Sequence, residues 1–255
     1  MHKLSVVSYL NTAPFLYGIA ESGFLDNSDF ELSLDIPATC ALKVKTGKAD
    51  IGLIPVAVLP DLNNYHLIGN TCIGADGPVD SVLLLSQVPL QEIKTIYLDY
   101  QSRTSNNLCR ILASMHWKIN VTFINSGDGY INDISNDNAG IVIGDRALDI
   151  RTRFRYVYDL SESWKEFTGL PFVFAVWTSL KPPEADFSTR LELALQWGID
   201  HAAKAAELVK DKYPAHFNVE SYLTRSISYT FDEHKRKGLE TFLSLLSTLP
   251  DPEIT

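Results

Sequence analysis

Short apolar runs alternate with helix-like patterns along most of the chain. The runs Leu4–Val7, Phe30–Ile36 and Ile51–Val56 have the length and composition of buried strands. Helical patterns separate them: one has Pro14 in its first turn and could be capped by Thr12, and another ends near Gly47. Strands that alternate with helices predict an α/β fold with a parallel sheet, whose ligands lie beyond the carboxyl ends of the strands.

A second alternating set starts after Pro89, with strands predicted at Lys94–Asp99 and Ala139–Ile143. The chain from Asp186 onward is almost entirely helical in pattern, so it needs an existing surface to pack on. We therefore predict that the apolar run Phe172–Trp177 returns the chain to the first lobe.

This arrangement gives two α/β lobes, residues 1–88 plus 175–255 and residues 89–174. Two crossing strands, near 86–90 and 172–177, would join the lobes and act as a hinge. A hinge between α/β lobes predicts a ligand cleft. On pattern alone, one continuous doubly wound sheet remains the alternative.

Composition limits the possible partners. The 255 residues carry a formal net charge of −9, which argues against general affinity for nucleic acid or anionic membranes. No apolar run is long enough to span a membrane, and the N-terminal apolar stretch is too short and polar for a secretion signal, so we expect a cytoplasmic protein. The three cysteines lack metal-ligand spacing and are expected to be reduced packing residues. No metal, nucleotide or serine-hydrolase motif is present, so no metal and no cofactor are expected.

The strongest local signal for a binding site is the sequence Ser102-Arg103-Thr104-Ser105. It follows a predicted strand and opens an amphipathic helix. A helix N-terminus offers free N–H groups and a partial positive charge, so it binds carboxylate or phosphate without a full charge. One hydroxyl suffices for ordinary capping, and three with an arginine exceed that need. We therefore favour an anion-binding role over capping alone.

Weaker signals lie at other junctions between elements. Asn11 follows the first strand and could donate or accept at a cleft edge, although Asn is also a common turn residue. Ser81 opens a buried strand after a glycine-containing loop. Gly144-Asp145 and Thr168 occupy similar positions, and Asp145 could equally be an acid favoured by a helix dipole.

Several segments, taken in order, resemble chorismate dehydratases, enzymes of the futalosine route to menaquinone. They cover roughly residues 1–180, and the tail is similar only in its helical character. Several motifs in the same order are more specific than any single one. The matching segments are VSYLNTAPF (7–15), GKADIGLIPV (47–56), CIGADGPVDSVLLLS (72–86), SRTSNNLCRIL (102–112), IGDRAL (143–148) and DLSESWKEFTGLPFVFAVW (159–177).

The resemblance implies a type 2 periplasmic-binding-protein fold used as a cytoplasmic lyase. In the implied reaction, chorismate loses its C4 hydroxyl and a C3 hydrogen and becomes 3-[(1-carboxyvinyl)oxy]benzoate. A dianionic substrate would be repelled by a cleft rich in carboxylates, which agrees with a site made of neutral donors.

The expected residue roles follow from this resemblance. Asn11 and Ser81 are the expected catalytic contacts. Ser102, Thr104 and Ser105 would hold a substrate carboxylate, while Arg103 could point away from the cleft. The related 1,4-dihydroxy-6-naphthoate synthase and a non-enzymatic solute-binding protein remain alternatives. A ligand-sensing regulator would normally bring a DNA-binding helix pair, which the sequence lacks.

Overall fold

A computed structural model gives the fold of residues 1–250. Helices and strands alternate over most of the chain, as the hydrophobic pattern predicts. The strands are β1 (His2–Val7), β2 (Phe30–Asp35), β3 (Ile51–Pro55), β4 (His66–Ala75), β5 (Val82–Ser86), β6 (Thr95–Leu98), β7 (Thr122–Asn125), β8 (Asn138–Ile143), β9 (Tyr156–Asp159), β10 (Phe172–Ser179) and β11 (Ser228–Thr230). The helices are α1 (Ala13–Glu21), α2 (Pro37–Lys45), α3 (Arg103–Ile111), α4 (Asp145–Ile150), α5 (Leu160–Thr168), α6 (Ala185–Asp200), α7 (Ala202–Val209), α8 (Val219–Ser221) and α9 (Glu233–Leu246).

The chain divides into two compact units. Unit 1 contains Met1–Ala75 and Val173–Glu233, and unit 2 contains Asp76–Phe172 and the chain from His234 onward. The chain therefore passes from one unit to the other after Ala75, after Phe172 and after Glu233. Each unit has its own sheet and its own apolar core.

Unit 1 is built on a mixed sheet with the strand order β11-β4-β10-β3-β1-β2. β1 runs parallel to both β2 and β3, while β10 is antiparallel to β3. All five residues of β3 are buried, which explains its unbroken apolar sequence. Phe15 from α1 and Trp177 from β10 are fully buried and meet edge to face, with ring centroids 5.6 Å apart.

Unit 2 is built on a sheet with the order β7-β6-β8-β5-β9. β6 is parallel to β7 and β8, and β5 is antiparallel to both β8 and β9. Leu83 and Leu85 of β5 pack in a buried cluster with Val142 of β8 and with Phe154. The sheet and this cluster hold the loops described below in place.

These units differ from the lobes predicted from the sequence at residues 76–88, at residues 173–174 and from His234 onward. β5, placed with the first lobe by sequence, is a central strand of the unit 2 sheet. The last helix, α9, packs in unit 2, where Phe242 meets Phe172 and Trp164. A buried apolar run such as VLLLS fits either sheet, because local sequence does not encode the pairing partner. Residues 251–255, the end of the predicted first lobe, lie outside the described residues.

Candidate functional site

The chemistry-bearing loops of unit 2 meet at one edge of its sheet. β6, β7 and β8 are parallel, and β9 runs in the same direction because β5 is antiparallel to both β8 and β9. The carboxyl ends of these strands therefore share an edge with the start of β5. We call this the carboxyl edge of unit 2. It carries the segments after Leu98, Ile143 and Asp159 and the residues before Val82.

Ser102 begins α3 as an N-cap in extended conformation. Its Oγ accepts a hydrogen bond from the Ser105 amide at 3.1 Å and donates to the Ser105 Oγ at 2.9 Å. Ser102, Thr104 and Ser105 are buried, whereas Arg103 is exposed. The three hydroxyl residues are therefore gathered at one helix start. Ser102 performs ordinary capping there, and anion binding by the group stays a prediction.

Beside this helix start lies an ion pair with a buried carboxylate, which the sequence pattern does not indicate. Asp99 follows β6 and accepts from Nη2 of Arg146 at 2.8 and 2.7 Å and from the Tyr130 hydroxyl at 2.9 Å. Burial, together with the negative charge of Asp99, raises the pKa of Tyr130, so this phenol stays protonated and donates. Arg146 also bonds to Gln101, and its guanidinium lies 5.1 Å from the Tyr100 ring centroid.

The ion pair organises the loop that leads into α3. The Asp99 amide donates to Asn106 Oδ1 and its carbonyl accepts from Asn106 Nδ2, both at 2.9 Å. The Ser102 amide donates to the same carbonyl at 3.3 Å. The pair thus places a cation, balanced by a buried carboxylate, beside the loop that leads into α3. Arg146 lies within the IGDRAL segment that the sequence singled out, but nothing in the sequence indicates that it pairs with Asp99.

Ser81 and Gly144 lie side by side at the carboxyl edge. The Ser81 carbonyl accepts from the Gly144 amide at 2.8 Å, and Ser81 is buried. Gly144 has a positive φ of 63°, a conformation that glycine adopts at little cost. Asp145 is half-buried in the first turn of α4, where a negative charge is favoured by the helix dipole.

Asp159 closes the same edge at the end of β9. Its carboxylate accepts four backbone N–H groups, from Val79, Asp80, Ser161 and Glu162. Burial raises the pKa of Asp159 to about 6, although all four of these hydrogen bonds act to lower it. In the sequence, Asp159 is only the first residue of the longer segment 159–177, and its pattern gives no sign of these four hydrogen bonds.

Thr168 lies at the opposite end of α5 from Asp159. Its hydroxyl donates to the Trp164 carbonyl at 2.8 Å and accepts from the Leu170 amide at 3.1 Å. Gly169 then ends the helix with a φ of 74°. The hydroxyl therefore helps to terminate α5, and substrate binding by Thr168 stays a prediction.

Asn11 belongs to unit 1, in a short turn between β1 and α1. Its backbone carbonyl accepts from the Tyr229 hydroxyl at 3.0 Å. Its side-chain Oδ1 is buried and has no hydrogen-bond partner within residues 1–250. An unsatisfied buried amide oxygen costs about 1–3 kcal/mol, so this atom is an acceptor suited to a bound molecule.

The neighbouring Thr12 does not cap α1 as the sequence suggested. Its hydroxyl instead donates to the carbonyls of Val7 and Tyr9, both at 2.7 Å. These bonds tie the turn that carries Asn11 back to the end of β1. The backbone around Asn11 is therefore held from the Thr12 side and from the Tyr229 side.

A cavity of about 370 Å³ lies beyond β6 and β7 in unit 2. Asp128 and Asp133 line it, as does Tyr130, whose hydroxyl bonds to Asp99. Two carboxylates would repel an anionic ligand, so this cavity is a poor carboxylate site. The remaining lining residues are Tyr97, Asn125, Ser126, Gly127 and Gly129.

Other kinds of site find little support in the part of the chain that the structure describes. Within residues 1–250, no group of three or more His, Cys, Asp or Glu side chains could hold a metal ion. Over the same range, every helix is too short or too polar to cross a membrane. Cys40, Cys72 and Cys109 are buried thiols outside any disulfide.

Solved structures share this fold at low sequence identity. A protein of Archaeoglobus fulgidus matches with a TM-score of 0.72 and 13% identity, covering 96% of both chains. A Candida albicans protein, described as having the generic periplasmic binding protein fold, matches with a TM-score of 0.62 and 11% identity. That match covers 98% of this chain and 91% of the other. The protein therefore has a periplasmic-binding-protein-like α/β fold.

Comparisons of sequence are more specific. A chorismate dehydratase of Thermus thermophilus is 25% identical over 270 residues, which cover 96% of this chain and 95% of the relative. A family model described as menaquinone biosynthesis matches residues 2–248. The resemblance seen in the separate motifs thus extends over nearly the whole chain, and the protein belongs to the menaquinone biosynthesis family.

Proposed function

We propose that this protein is a chorismate dehydratase, a lyase that removes water from chorismate to give 3-[(1-carboxyvinyl)oxy]benzoate on the futalosine route. The observation that carries the proposal is the match, along almost the full length of both chains, with the Thermus thermophilus chorismate dehydratase. Family membership supports a role in menaquinone biosynthesis. The cytoplasm, as the resemblance implies, is the proposed place of action.

The groups at the carboxyl edge of unit 2 suit a carboxylate of the substrate. The start of α3 carries Ser102, Thr104 and Ser105, and Arg146 bonds to Gln101 in the loop just before it. Hydroxyls and a helix N-terminus stabilise an anion through dipoles, and the Arg146 charge is balanced by Asp99. This edge can therefore hold a carboxylate firmly without a large excess of positive charge. Gly144 and Asp145 stay proposed substrate contacts at the same edge.

The reaction is an elimination that makes the ring aromatic. The C3–H bond breaks and its electron pair forms the new ring double bond, while the C4–O bond breaks and hydroxide leaves. The departing proton and hydroxide account for one water. We propose that a substrate carboxylate helps to take the C3 proton and that Asn11 and Ser81 contact the reacting groups, one of them assisting departure of the hydroxide. Fixed polar groups lower such a barrier because they need no reorganisation during the reaction.

Incubation of the purified protein with chorismate tests this function. Mass spectrometry should detect a product lighter by one water, with no added cofactor. Asn11→Ala and Ser81→Ala should each lower kcat by about 100-fold or more, as expected for groups that stabilise the transition state. Asn120→Ala and Ser28→Ala, at exposed positions, are the matched controls. Near-normal turnover by both Asn11→Ala and Ser81→Ala would remove the catalytic assignment.

A solute-binding protein is the second candidate, because the structural relatives include periplasmic-binding-protein folds. In this case chorismate would remain unchanged, and calorimetry would detect tight binding of another small carboxylate. The 1,4-dihydroxy-6-naphthoate synthase ranks lower because the YLNTAPF segment resembles the dehydratase. Formation of 1,4-dihydroxy-6-naphthoate, with chorismate left unchanged, would favour that enzyme.

A further inference from the structure

The loop Asp76–Ser81, which carries Ser81, is tied to the rest of unit 2 by side chains distant in sequence. Asp76 Oδ1 lies 2.6 Å from Nζ of Lys165. Asp80 Oδ1 lies 2.7 Å from Nη1 of Arg151. Between these two ion pairs, Asp159 accepts hydrogen bonds from two successive backbone amides of the loop. A loop of this length does not need so many connections merely to join two strands.

Asp159 divides its two oxygens between two tasks. Oδ1 accepts the amides of Ser161 at 2.9 Å and Glu162 at 3.2 Å, which caps α5. Oδ2 accepts the amides of Val79 at 2.9 Å and Asp80 at 2.7 Å. An N-cap needs only one oxygen, and a serine would serve. The second oxygen therefore does something that capping does not explain.

The bonds to Oδ2 hold the backbone immediately before Ser81. Asp80 has a φ of 64°, a left-handed conformation that is unfavourable for a residue with a Cβ and needs support from its surroundings. On the other side, the Ser81 carbonyl is held by the Gly144 amide at 2.8 Å. The backbone is therefore held by hydrogen bonds on both sides of Ser81, which limits the positions that its hydroxyl can reach.

We propose that Asp159 is a positioning residue for Ser81, holding the Asp76–Ser81 loop in the geometry that the reaction requires. This proposal rests on the proposed function, in which Ser81 contacts the reacting groups. Displacement of a catalytic hydroxyl by about 1 Å can reduce turnover by about 100-fold, since its bond to the transition state is then lost or bent. Asp159 acts through Ser81 and makes no contact of its own with the substrate.

The test replaces Asp159 in two backgrounds. Asp159→Asn keeps an oxygen for α5 but presents an NH2 group where the Val79 and Asp80 amides need an acceptor. In the otherwise wild-type protein, kcat with chorismate should fall by about tenfold or more, while KM stays within about threefold. In the Ser81→Ala background the same substitution should change kcat by less than about twofold, because no hydroxyl remains to be positioned.

Two further variants separate positioning from stability. Asp159→Ser retains an N-cap for α5 but is too short to reach the loop as well, so it should reproduce the loss of kcat with a folded helix. Asp149→Asn, an exposed carboxylate on α4, should behave as wild type. Circular dichroism confirms folding of each variant. Hydrogen exchange of the Val79 and Asp80 amides should accelerate by about tenfold or more when Asp159 is replaced.

The outcomes distinguish the two proposals. An inactive wild-type protein overturns the proposed function, and amide exchange then still reports whether Asp159 holds the loop. Rapid exchange of Val79 and Asp80 in the wild-type protein overturns the proposal for Asp159. So does normal kcat in both Asp159 variants of an active enzyme. Equal losses of kcat with and without Ser81 would reduce Asp159 to a general structural role, which also overturns it.

Discussion

At the scale of single residues, the pair of Asp99 and Arg146 shows how a charge is made tolerable in the interior of unit 2. The Asp99 side chain is fully buried, and the Arg146 side chain is 28% exposed. The cost of removing a carboxylate from water is offset by the guanidinium, the Tyr130 hydroxyl and the amide of Gln101. The carboxylate therefore depends on each of these partners.

Removal of the cation should be costly. Arg146→Gln leaves the Asp99 carboxylate buried without a counter-charge, and we expect the free energy of unfolding to fall by about 3 kcal/mol. Urea denaturation at pH 7 measures the change. Lys94→Gln is the matched control, since Lys94 pairs with Asp137 at an exposed site. Equal, small effects of the two substitutions would contradict the interpretation of the Asp99 pair.

A second residue-scale prediction concerns pH. Burial raises the pKa of Asp159 to about 6, whereas the pKa of an Asp in an unfolded chain is about 3.9. Between these values the folded protein binds the proton more tightly than the unfolded chain does. The contribution of Asp159 to stability is therefore fully present below pH ~3.9 and is lost as pH rises through ~6. The stability lost by this titration is about 3 kcal/mol, since each unit of pKa difference between the folded and unfolded states is worth about 1.4 kcal/mol.

Urea denaturation of the wild-type protein and Asp159→Asn at several pH values between 4 and 7 tests this sign. The wild type should lose stability relative to Asp159→Asn as pH rises over this range, because only the wild type has the carboxyl with the raised pKa. Asp137→Asn serves as control, since Lys94 lowers the pKa of that exposed carboxyl. A difference that does not vary with pH would show that Asp159 titrates normally.

Some of these residues could be predicted from the sequence, and others could not. Ser102 and Ser105 could be placed at a helix start because capping is a local property of a strand followed by a helix, while anion binding there stays a prediction. Asp99 and Arg146 are 47 positions apart, and neither has a distinctive local pattern. Their meeting depends on β6 lying next to β8 in the folded sheet.

At the scale of secondary-structure elements, two glycines allow α1 and α6 of unit 1 to pack closely. A Cβ on Gly18 would overlap the Ala194 carbonyl, and one on Gly198 would overlap the Pro14 carbonyl. Backbone atoms cannot move aside as flexible side-chain ends can. This close packing holds the start of α1, and hence the turn that carries Asn11.

Gly198→Ala should therefore separate these helices. We expect the free energy of unfolding to fall by about 3 kcal/mol, since the new methyl group overlaps backbone. Thermal and urea denaturation measure the loss. Gly127→Ala is the control, because a Cβ there meets open space. If Gly198→Ala were as stable as the control, the close contact between α1 and α6 would be wrong.

Elements of both units were largely predictable, because the period of apolar residues identifies a strand or a helix locally. Helix ends were less so. Thr12 precedes α1 as expected, yet its hydroxyl bonds to Val7 and Tyr9, whose carbonyls are brought near by the turn. A capping residue can be recognised from sequence, but its choice between competing partners depends on the surrounding backbone.

At the scale of the whole molecule, the last helix packs into the core of unit 2, although the chain passes through unit 1 between Phe172 and that helix. Phe242 of α9 meets Phe172 and Trp164, with centroid distances of 5.1 and 6.2 Å, and all three side chains are fully buried. Gly238 of α9 lies against the Pro171 carbonyl, where a Cβ would overlap it. Unit 2 therefore depends on residues that are distant from it in sequence.

Phe242→Ala should destabilise unit 2 specifically. The lost contacts and the cavity left behind should lower the free energy of unfolding by about 3–5 kcal/mol. The fluorescence of Trp164 should follow this transition when the other tryptophans, Trp117, Trp177 and Trp197, are replaced by Phe. Leu208→Ala, at an exposed position on α7, is the control and should have little effect. Unchanged stability of Phe242→Ala would place α9 outside the core of unit 2.

The α/β class, most elements and the helix start that carries Ser102 could be predicted from the chain alone, because these follow from local periodicity and turn chemistry. The motifs in order also determined the family, now supported over residues 2–248. The folded structure was needed to place β5 and α9 in unit 2 and to bring Asp99 to Arg146. It was also needed to show the hydrogen bonds from the loop before Ser81 to Asp159. Each of these depends on contacts between residues far apart in sequence, and such contacts leave no periodic trace in the chain.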